Sequence, residues 1–89
     1  MTINPGEILS LQSHENRSEF WYVSEGIATV ECDDNVFKLK KYESTNIPQK
    51  SKHRLSNKSN ELLKVIEVQI GDLLSEDDIT RYEDHYDRD

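Results

Sequence analysis

The chain has 89 residues, of which 34% are hydrophobic, and a formal net charge of −7 at pH 7. This length predicts one domain over residues 1–89, and a domain of this size buries only about 60% of the surface that its unfolded chain exposes. The core is therefore expected to be thin, so that a bound metal or a dimer interface would add stability. The acidic balance argues against nucleic-acid binding, which needs a basic surface.

The cysteine content and the hydropathy pattern indicate the compartment. Cys32 is the single cysteine and has no internal partner for a disulfide, which favours a reducing environment. No apolar run reaches transmembrane length, and the first residues lack the charged and then apolar pattern of a signal peptide. A soluble, cytoplasmic protein without a membrane partner is expected.

Short stretches rich in β-branched and aromatic residues alternate with polar turns along most of the chain. After a turn at residues 4–6, strands are predicted in chain order at 7–11, 19–23, 27–32, 36–39, 53–56 and 62–70. The acidic turn at 33–35 predicts a hairpin. Short strands at this spacing indicate an all-β barrel or sandwich.

The character of the chain changes after Gly71. Ser75 and the acidic residues 76–78 precede residues 79–83. A capping hydroxyl and acidic side chains stabilise a helix N-terminus, so this pattern predicts one or two helical turns. The charged residues 84–89 are expected to fray. The sequence therefore predicts an all-β fold with a short C-terminal helical segment.

Four residues form a candidate metal site. Gln12 and His14 would point to the same face of a strand, because alternate residues share a face. Glu19 begins the next strand, and His53 lies far along the chain. Two imidazole nitrogens, one carboxylate and one amide oxygen suit one divalent ion such as Zn, Mn, Co, Ni or Fe. These side chains are expected to line the mouth of a small β-barrel.

The spacing of these residues resembles two cupin motifs. The positions of the first motif are Gly6, Gln12, His14, Glu19 and Gly26. Those of the second are Pro48, Lys50, His53 and Asn57. Gln12 replaces the usual first histidine, Lys50 stands where a glycine is usual, and Phe20 stands where many members have a histidine. Strand alternation turns Phe20 away from Glu19, so this change need not remove a ligand.

The closer resemblance is to the C-terminal cupin domain of type II phosphomannose isomerases, which are often fused behind a mannose-1-phosphate guanylyltransferase. The stretches that carry it are residues 4–14, 17–21, 47–48, 53–55, 66–69 and 76–86. The resemblance implies a double-stranded β-helix, or jelly-roll barrel, and a divalent metal held by Gln12, His14, Glu19 and His53. The implied reaction interconverts mannose 6-phosphate and fructose 6-phosphate.

Aldose–ketose isomerisation needs a charge that polarises the sugar oxygens and a base. The resemblance makes Arg17 and Arg81 candidates for phosphate or oxyanion contact. Glu67 is a candidate base, because its strand is expected to cross the barrel. Arg54 and Lys52 are further candidates for substrate binding, since an acidic protein that binds an anionic sugar needs local positive charge.

Two of these arginines also have purely structural explanations. Arg17 can be a surface ion-pair partner, and Arg81 can pair with Asp77 or Asp78 at helical spacing. At the level of function, a metal-dependent sugar-phosphate isomerase is favoured, and its partner is a small-molecule sugar phosphate. The alternative is a non-catalytic, metal-containing cupin that binds a sugar or sugar nucleotide as an accessory or sensor protein, since a fold does not fix a function.

A third function is a metal-dependent oxygenase, which commonly requires a histidine-rich site for Fe(II) and is disfavoured by Gln12. Guanylyl transfer is not expected, because the sequence has no Gly-rich nucleotide loop. A homodimer is expected from the small size and from the tendency of cupins to pair.

Overall fold

The computed structural model describes residues 1–83, so the predicted charged tail at 84–89 lies outside the described residues. The strands are β1 (Thr2–Ile3), β2 (Leu11–Ser13), β3 (Ser18–Glu25), β4 (Ala28–Cys32), β5 (Asn35–Leu39), β6 (Ser44–Ile47), β7 (His53–Ser56), β8 (Leu63–Ile70) and β9 (Thr80–Glu83). This confirms the all-β class. Across residues 1–83, we find no helix whose length and apolar character would let it cross a membrane.

Two local predictions are wrong. Residues 79–83, predicted as helical turns, contain strand β9, in which Arg81 pairs with Gln12 and Thr80 with Ser13. The ladder with β2 prevails over the local capping pattern, because tertiary pairing overrides intrinsic propensity. The strand predicted at 7–11 is reduced to an isolated bridge at Ile8 before β2 begins at Leu11.

The strands form two antiparallel sheets. One has the order β1-β8-β3-β6 and the other the order β5-β4-β7-β2-β9. Both sheets contribute to one core, whose buried side chains are Ile3, Trp21, Val23, Ala28, Val30, Leu39, Ile47, Leu55, Leu63 and Val65. Along β3, Val23 and Trp21 belong to this core, and Glu19 continues the same face. The inward face therefore changes from apolar to polar at one end of the sheets.

The turn between β3 and β4 depends on a glycine. Gly26 has a φ of +86°, and a Cβ at this position would lie 2.4 Å from the carbonyl oxygen of Leu62. We expect Gly26→Ala to lower the free energy of unfolding by about 2 kcal/mol, from backbone strain plus the clash. Urea unfolding measures the loss. Gly6→Ala is the matched control, because Gly6 has a φ of +82° with no atom within 4 Å of such a Cβ. Equal losses in the two variants would contradict the role of the clash.

Candidate functional site

The inward-facing polar side chains form a compact cluster. His14 follows β2, Glu19 lies on β3 and His53 begins β7, and these residues are 3%, 2% and 5% exposed. One ligand atom from each lies within 4.8 Å of the others. Gln12 pairs directly with His53 across β2 and β7, so the two side chains share a face. The structure thus brings together three of the four predicted ligands and places the fourth beside them.

Backbone carbonyls orient both imidazoles. His14 Nδ1 lies 2.6 Å from the carbonyl oxygen of Asp78, and His53 Nδ1 lies 3.2 Å from that of Ser51. A carbonyl oxygen only accepts, so each Nδ1 is the protonated nitrogen and donates. In the neutral ring the lone pair then lies on Nε2, the atom that faces Glu19 in both histidines. This arrangement is the one by which proteins prepare histidines for a metal.

The donor set fits a divalent ion. Two ligand atoms at about 2.0–2.2 Å from a metal lie roughly 3.3–3.6 Å apart at a tetrahedral angle and about 4.4 Å apart when they are opposite each other. A pair at the 4.8 Å limit would therefore have to move together by roughly 0.4–1.5 Å to bind one ion. Imidazole and carboxylate ligands suit the same first-row metals that the sequence predicts. His14, Glu19 and His53 would hold the ion, and Gln12 is the neighbouring candidate for a fourth ligand.

Glu19 is the centre of the hydrogen-bond network. Its Oε1 accepts a hydrogen bond of 3.0 Å from Trp21 Nε1, and its Oε2 accepts one of 3.1 Å from Arg17 Nε. Arg17 Nη2 lies 3.1 Å from the same Oε2. This buried carboxylate therefore has both a positive partner and an indole donor, as a buried charge requires.

A second carboxyl group faces Glu19 from β8. Glu67 pairs with Trp21 across β3 and β8. Burial and then the negative charge of Glu19 raise the pKa of Glu67 above its ordinary value, and a hydrogen bond between the two carboxyl groups acts in the same direction. The structure places this predicted base at the polar end of the barrel interior.

Asp78 is a residue whose role the sequence analysis missed. Its carbonyl oxygen contacts His14, and its carboxylate accepts hydrogen bonds of 2.8 and 2.9 Å from the backbone N–H groups of Glu15 and Asn16. These two bonds hold the pKa of Asp78 below its ordinary value. The family resemblance over residues 76–86 could have indicated that Asp78 belongs to the site. The predicted helix instead made Asp78 an ion-pair partner of Arg81.

A pocket of about 210 Å³ opens onto the cluster. Its lining residues are Met1, Leu9, Ser10, Gln12, Arg17, Glu19, Trp21, His53, Arg54, Leu55 and Glu67. Arg54 Nε lies 3.6 Å from Glu31 Oε2, on the neighbouring strand β4. Arg17 contacts the ligand cluster through Glu19 and His14.

Two predicted substrate or catalytic residues lie outside this lining. Lys52 is exposed, and its Nζ lies 4.4 Å from the centroid of the Tyr82 ring. Arg81 is exposed on β9. The helical pairing of Arg81 with Asp77 or Asp78 is wrong, because this segment is a strand. Neither Lys52 nor Arg81 is among the lining residues, although Arg81 pairs with Gln12, which is one of them.

The loop before His53 adopts an unfavourable conformation. Lys50 has a φ of +70°, in the left-handed region that glycine occupies most readily. Its backbone N–H donates a 2.7 Å hydrogen bond to the carbonyl oxygen of His14. Lys50 thus keeps the conformation expected of the usual glycine and ties the two histidine-bearing segments together.

The buried histidine predicts a pH-dependent stability of the metal-free protein. Burial is the main cause that lowers the pKa of His53 below 6.5. Between 6.5 and the folded pKa, the unfolded chain binds the proton and the folded chain does not. The free energy of unfolding is therefore expected to fall as the pH falls through this window. Urea unfolding in EDTA measures it, and His53→Asn should remove this contribution. If the free energy of unfolding of His53→Asn fell with pH as steeply as that of the wild type, His53 would not be the group responsible.

Glu67 changes the free energy of unfolding with pH in the opposite direction to His53. Its raised pKa means that the folded chain keeps the proton above 4.5, where the unfolded chain releases it. The contribution of Glu67 to stability is therefore lost as the pH rises from 4.5 through the folded pKa. In the same unfolding series, Glu67→Gln should remove this loss, and the free energy of unfolding should still fall as the pH falls through the titration of His53.

Comparison with known proteins finds relatives whose names refer to alginate biosynthesis, xanthan biosynthesis and mannose-1-phosphate guanylyl transfer. It is 52% identical over 88 residues to the alginate biosynthesis protein AlgA of Pseudomonas putida, covering 99% of the chain and 18% of that relative. It is 48% identical over 88 residues to the xanthan biosynthesis protein XanB of Xanthomonas campestris pv. campestris, covering 99% and 19%. It is 43% identical to the mannose-1-phosphate guanylyltransferase ManC of Salmonella typhimurium, covering 99% and 18%.

Solved structures confirm the double-stranded β-helix. A Klebsiella pneumoniae protein with such a domain superposes with a TM-score of 0.80 at 18% identity, covering 92% of this chain and 70% of that one. A cupin sugar phosphate isomerase from Silicibacter pomeroyi gives a TM-score of 0.70 at 21% identity, covering 76% and 45%. At these identities the likeness shows the fold.

These relatives correct the predicted function. The sequence predicted that the chain is itself an isomerase of mannose 6-phosphate and fructose 6-phosphate. The matched relatives instead have names in alginate biosynthesis, xanthan biosynthesis and guanylyl transfer, and the chain spans about a fifth of their length. The isomerase prediction is therefore wrong. The family resemblance is confirmed, since residues 1–84 match it, and the chain belongs to the mannose-6-phosphate isomerase C-terminal family.

Proposed function

We propose that this chain is a metal-binding cupin domain of sugar-nucleotide biosynthesis, whose pocket binds a mannose phosphate. The observation that carries the proposal is the buried cluster of His14, Glu19 and His53 beside a pocket that Arg17 also lines. The names of the relatives support the biosynthetic context. A cytoplasmic location is proposed with this function, and the single free cysteine, Cys32, fits it.

The size of the pocket favours a small ligand. Its volume of about 210 Å³ is below the roughly 300–1,000 Å³ of sites for drug-sized ligands. A single phosphorylated sugar therefore matches the pocket better than a complete sugar nucleotide. The walls combine Trp21 and Leu55 with polar groups, as expected for a site that packs a sugar ring and orients its hydroxyls.

The charges also suit a sugar phosphate. When bound, a divalent ion supplies a positive charge that polarises and holds sugar oxygens. Arg17 offers a planar group that matches a phosphate with two parallel hydrogen bonds. Glu67 and Gln69 lie close together on β8, with Gln69 Nε2 donating a 3.2 Å hydrogen bond to Glu67 Oε2. Together these groups provide both donors and acceptors for an anionic sugar.

Elemental analysis followed by calorimetry tests the proposal. The purified chain is first analysed for Zn, Mn, Co, Ni and Fe, and is then titrated with mannose 1-phosphate, mannose 6-phosphate, mannose and inorganic phosphate. We expect one metal per chain and tighter binding of a mannose phosphate than of mannose or phosphate alone. No metal after loading, or equal binding of all four compounds, would contradict the proposal.

The homodimer is proposed through the outer face of the first sheet, formed by Phe20, Tyr22, Ile66, Val68 and Ile70. These residues alternate with the inward ones on the central strands β3 and β8, and Ile66, Val68 and Ile70 are about half exposed. A continuous apolar face of this kind commonly marks an interface. Sedimentation should show a dimer that Val68→Lys dissociates, whereas Val36→Lys on β5 leaves it intact. Equal sedimentation of the two variants would contradict this interface.

A further inference from the structure

We infer that the Arg17 guanidinium is an internal cation that holds the metal ligands in the metal-free protein, so that metal binding must displace it from His14 Nε2 and weaken the Arg17–Glu19 ion pair. The inference rests on the proposed metal site. Arg17 Nη2 lies 3.1 Å from Glu19 Oε2 and 3.2 Å from His14 Nε2. One nitrogen of the guanidinium therefore contacts two of the three candidate ligand atoms.

When the imidazole of His14 is neutral, these two atoms need a shared donor. Glu19 Oε2 and His14 Nε2 are 3.2 Å apart. With Nδ1 donating to the carbonyl oxygen of Asp78, the Nε2 atom of neutral His14 is an acceptor, and a carboxylate oxygen also only accepts. Two acceptors at this distance repel each other unless a donor serves both. The N–H groups of Arg17 supply that donor.

A divalent ion needs the same lone pairs. At metal–ligand distances of about 2.0–2.2 Å, an ion bound to His14 uses the one Nε2 electron pair that now accepts from Arg17, and an ion bound to Glu19 competes with Arg17 for the charge of the carboxylate. Its charge also repels the guanidinium at short range. Arg17 lies in the segment between β2 and β3, and its side chain is 11% exposed and lines the pocket. Metal binding therefore redirects a positive group from the ligands toward the pocket.

This exchange couples metal binding to anion binding. With no metal, Glu19 neutralises the charge of Arg17, which lowers the attraction of this guanidinium for a phosphate. With metal bound, Glu19 is shared with the ion, and the guanidinium becomes available to an anion. By thermodynamic linkage, a bound anion then strengthens metal binding by the same factor. Arg17 is thus a positioning residue for the metal ligands in one state and an anion contact in the other.

Zinc titration of Arg17 variants tests the inference. The readouts are calorimetry and the fluorescence of Trp21, which is the only tryptophan and donates to Glu19. We expect Arg17→Gln to bind zinc at least about tenfold more tightly than the wild type, because its competing cation is gone. The metal-free Arg17→Gln variant should also have a lower melting temperature than the metal-free wild type. Zinc should raise the melting temperature of the variant by more than it raises that of the wild type. Arg17→Lys, which keeps the charge but not the planar fork, should fall between the two.

Lys64→Gln is the matched control, because it removes one positive charge from an exposed pair with Glu25 at 3.3 Å, away from the site. Its zinc affinity should equal that of the wild type. Equal or weaker zinc binding by Arg17→Gln would overturn the inference. If Arg17→Gln binds zinc and the wild type does not, the inference is supported and the proposed native metal site is contradicted. If neither protein binds zinc, both the inference and the proposed metal site are overturned.

The wild-type protein provides a measurement that does not depend on a variant folding. In a ¹⁵N-labelled sample, the Arg17 Nε–Hε resonance should shift and exchange faster with water when zinc is added, because its hydrogen bond to Glu19 Oε2 is weakened. A resonance that zinc binding leaves unchanged would overturn the inference.

Discussion

Glu19→Gln is expected to abolish metal binding and to destabilise the metal-free protein. The substitution removes the one carboxylate of the donor set, and we expect the zinc affinity to fall by more than about 100-fold, the upper limit for losing a group that merely orients a ligand. Arg17 loses its charged partner, and breaking such a nearly buried pair costs roughly 3 kcal/mol. Calorimetry and urea unfolding in EDTA measure the two effects.

Glu25→Gln is the control for this variant. Glu25 lies on the same strand β3 and pairs with Lys64 at 3.3 Å, but both side chains are about half exposed. An exposed pair contributes about 1 kcal/mol or less, so this variant should keep both its stability and its zinc affinity. If Glu19→Gln bound zinc as the wild type does, Glu19 would not be a ligand.

The sequence could predict the strands that depend on their own composition. β3, β4, β5 and β8 are rich in β-branched or aromatic residues, and the acidic residues 33–34 connect β4 to β5. The motif spacing also predicted that His14, Glu19 and His53 converge, because ligand residues at fixed positions on strands meet when the two sheets pack together.

The errors came from long-range pairing. Residues 75–83 have a local pattern that suits a helix. Residues 80–83 form a strand because they pair with β2, which lies more than sixty residues earlier in the chain. That pairing placed Arg81 opposite Gln12 instead of beside Asp77 and Asp78 on a helix, and it brought Asp78 to His14 and Glu15. Likewise, nothing local reveals that Lys50 adopts a glycine-like φ, which the hydrogen bond to His14 stabilises.

The function prediction failed for a different reason. The motif residues indicate a fold and a donor set, and these are properties of a site that many proteins share. The activity of a relative belongs to a polypeptide about five times longer than this chain. The residues themselves support a binding site. They form a compact cluster of donor atoms, an arginine that neutralises the charge of Glu19, and a small pocket.

Asp78→Ala is expected to weaken zinc binding by about 10- to 100-fold, as for other groups that orient a metal ligand. Asp78 provides no ligand atom to the cluster, but its carboxylate fixes the N–H groups of Glu15 and Asn16 next to His14. The carbonyl of residue 78 still exists in the variant, yet it is no longer held opposite the imidazole. Asp78→Asn retains one acceptor oxygen and should lose less affinity.

Asp77→Ala is the control for Asp78, because it removes an equal charge from the neighbouring exposed residue. A general electrostatic effect would weaken zinc binding equally in the two alanine variants, whereas orientation of His14 weakens it in Asp78→Ala alone. Equal affinities would show that the contact between Asp78 and the histidine segment has no part in the site. A selective loss would make β9 and the turn before it part of the metal centre, because β9 pairs with the strand that leads into His14.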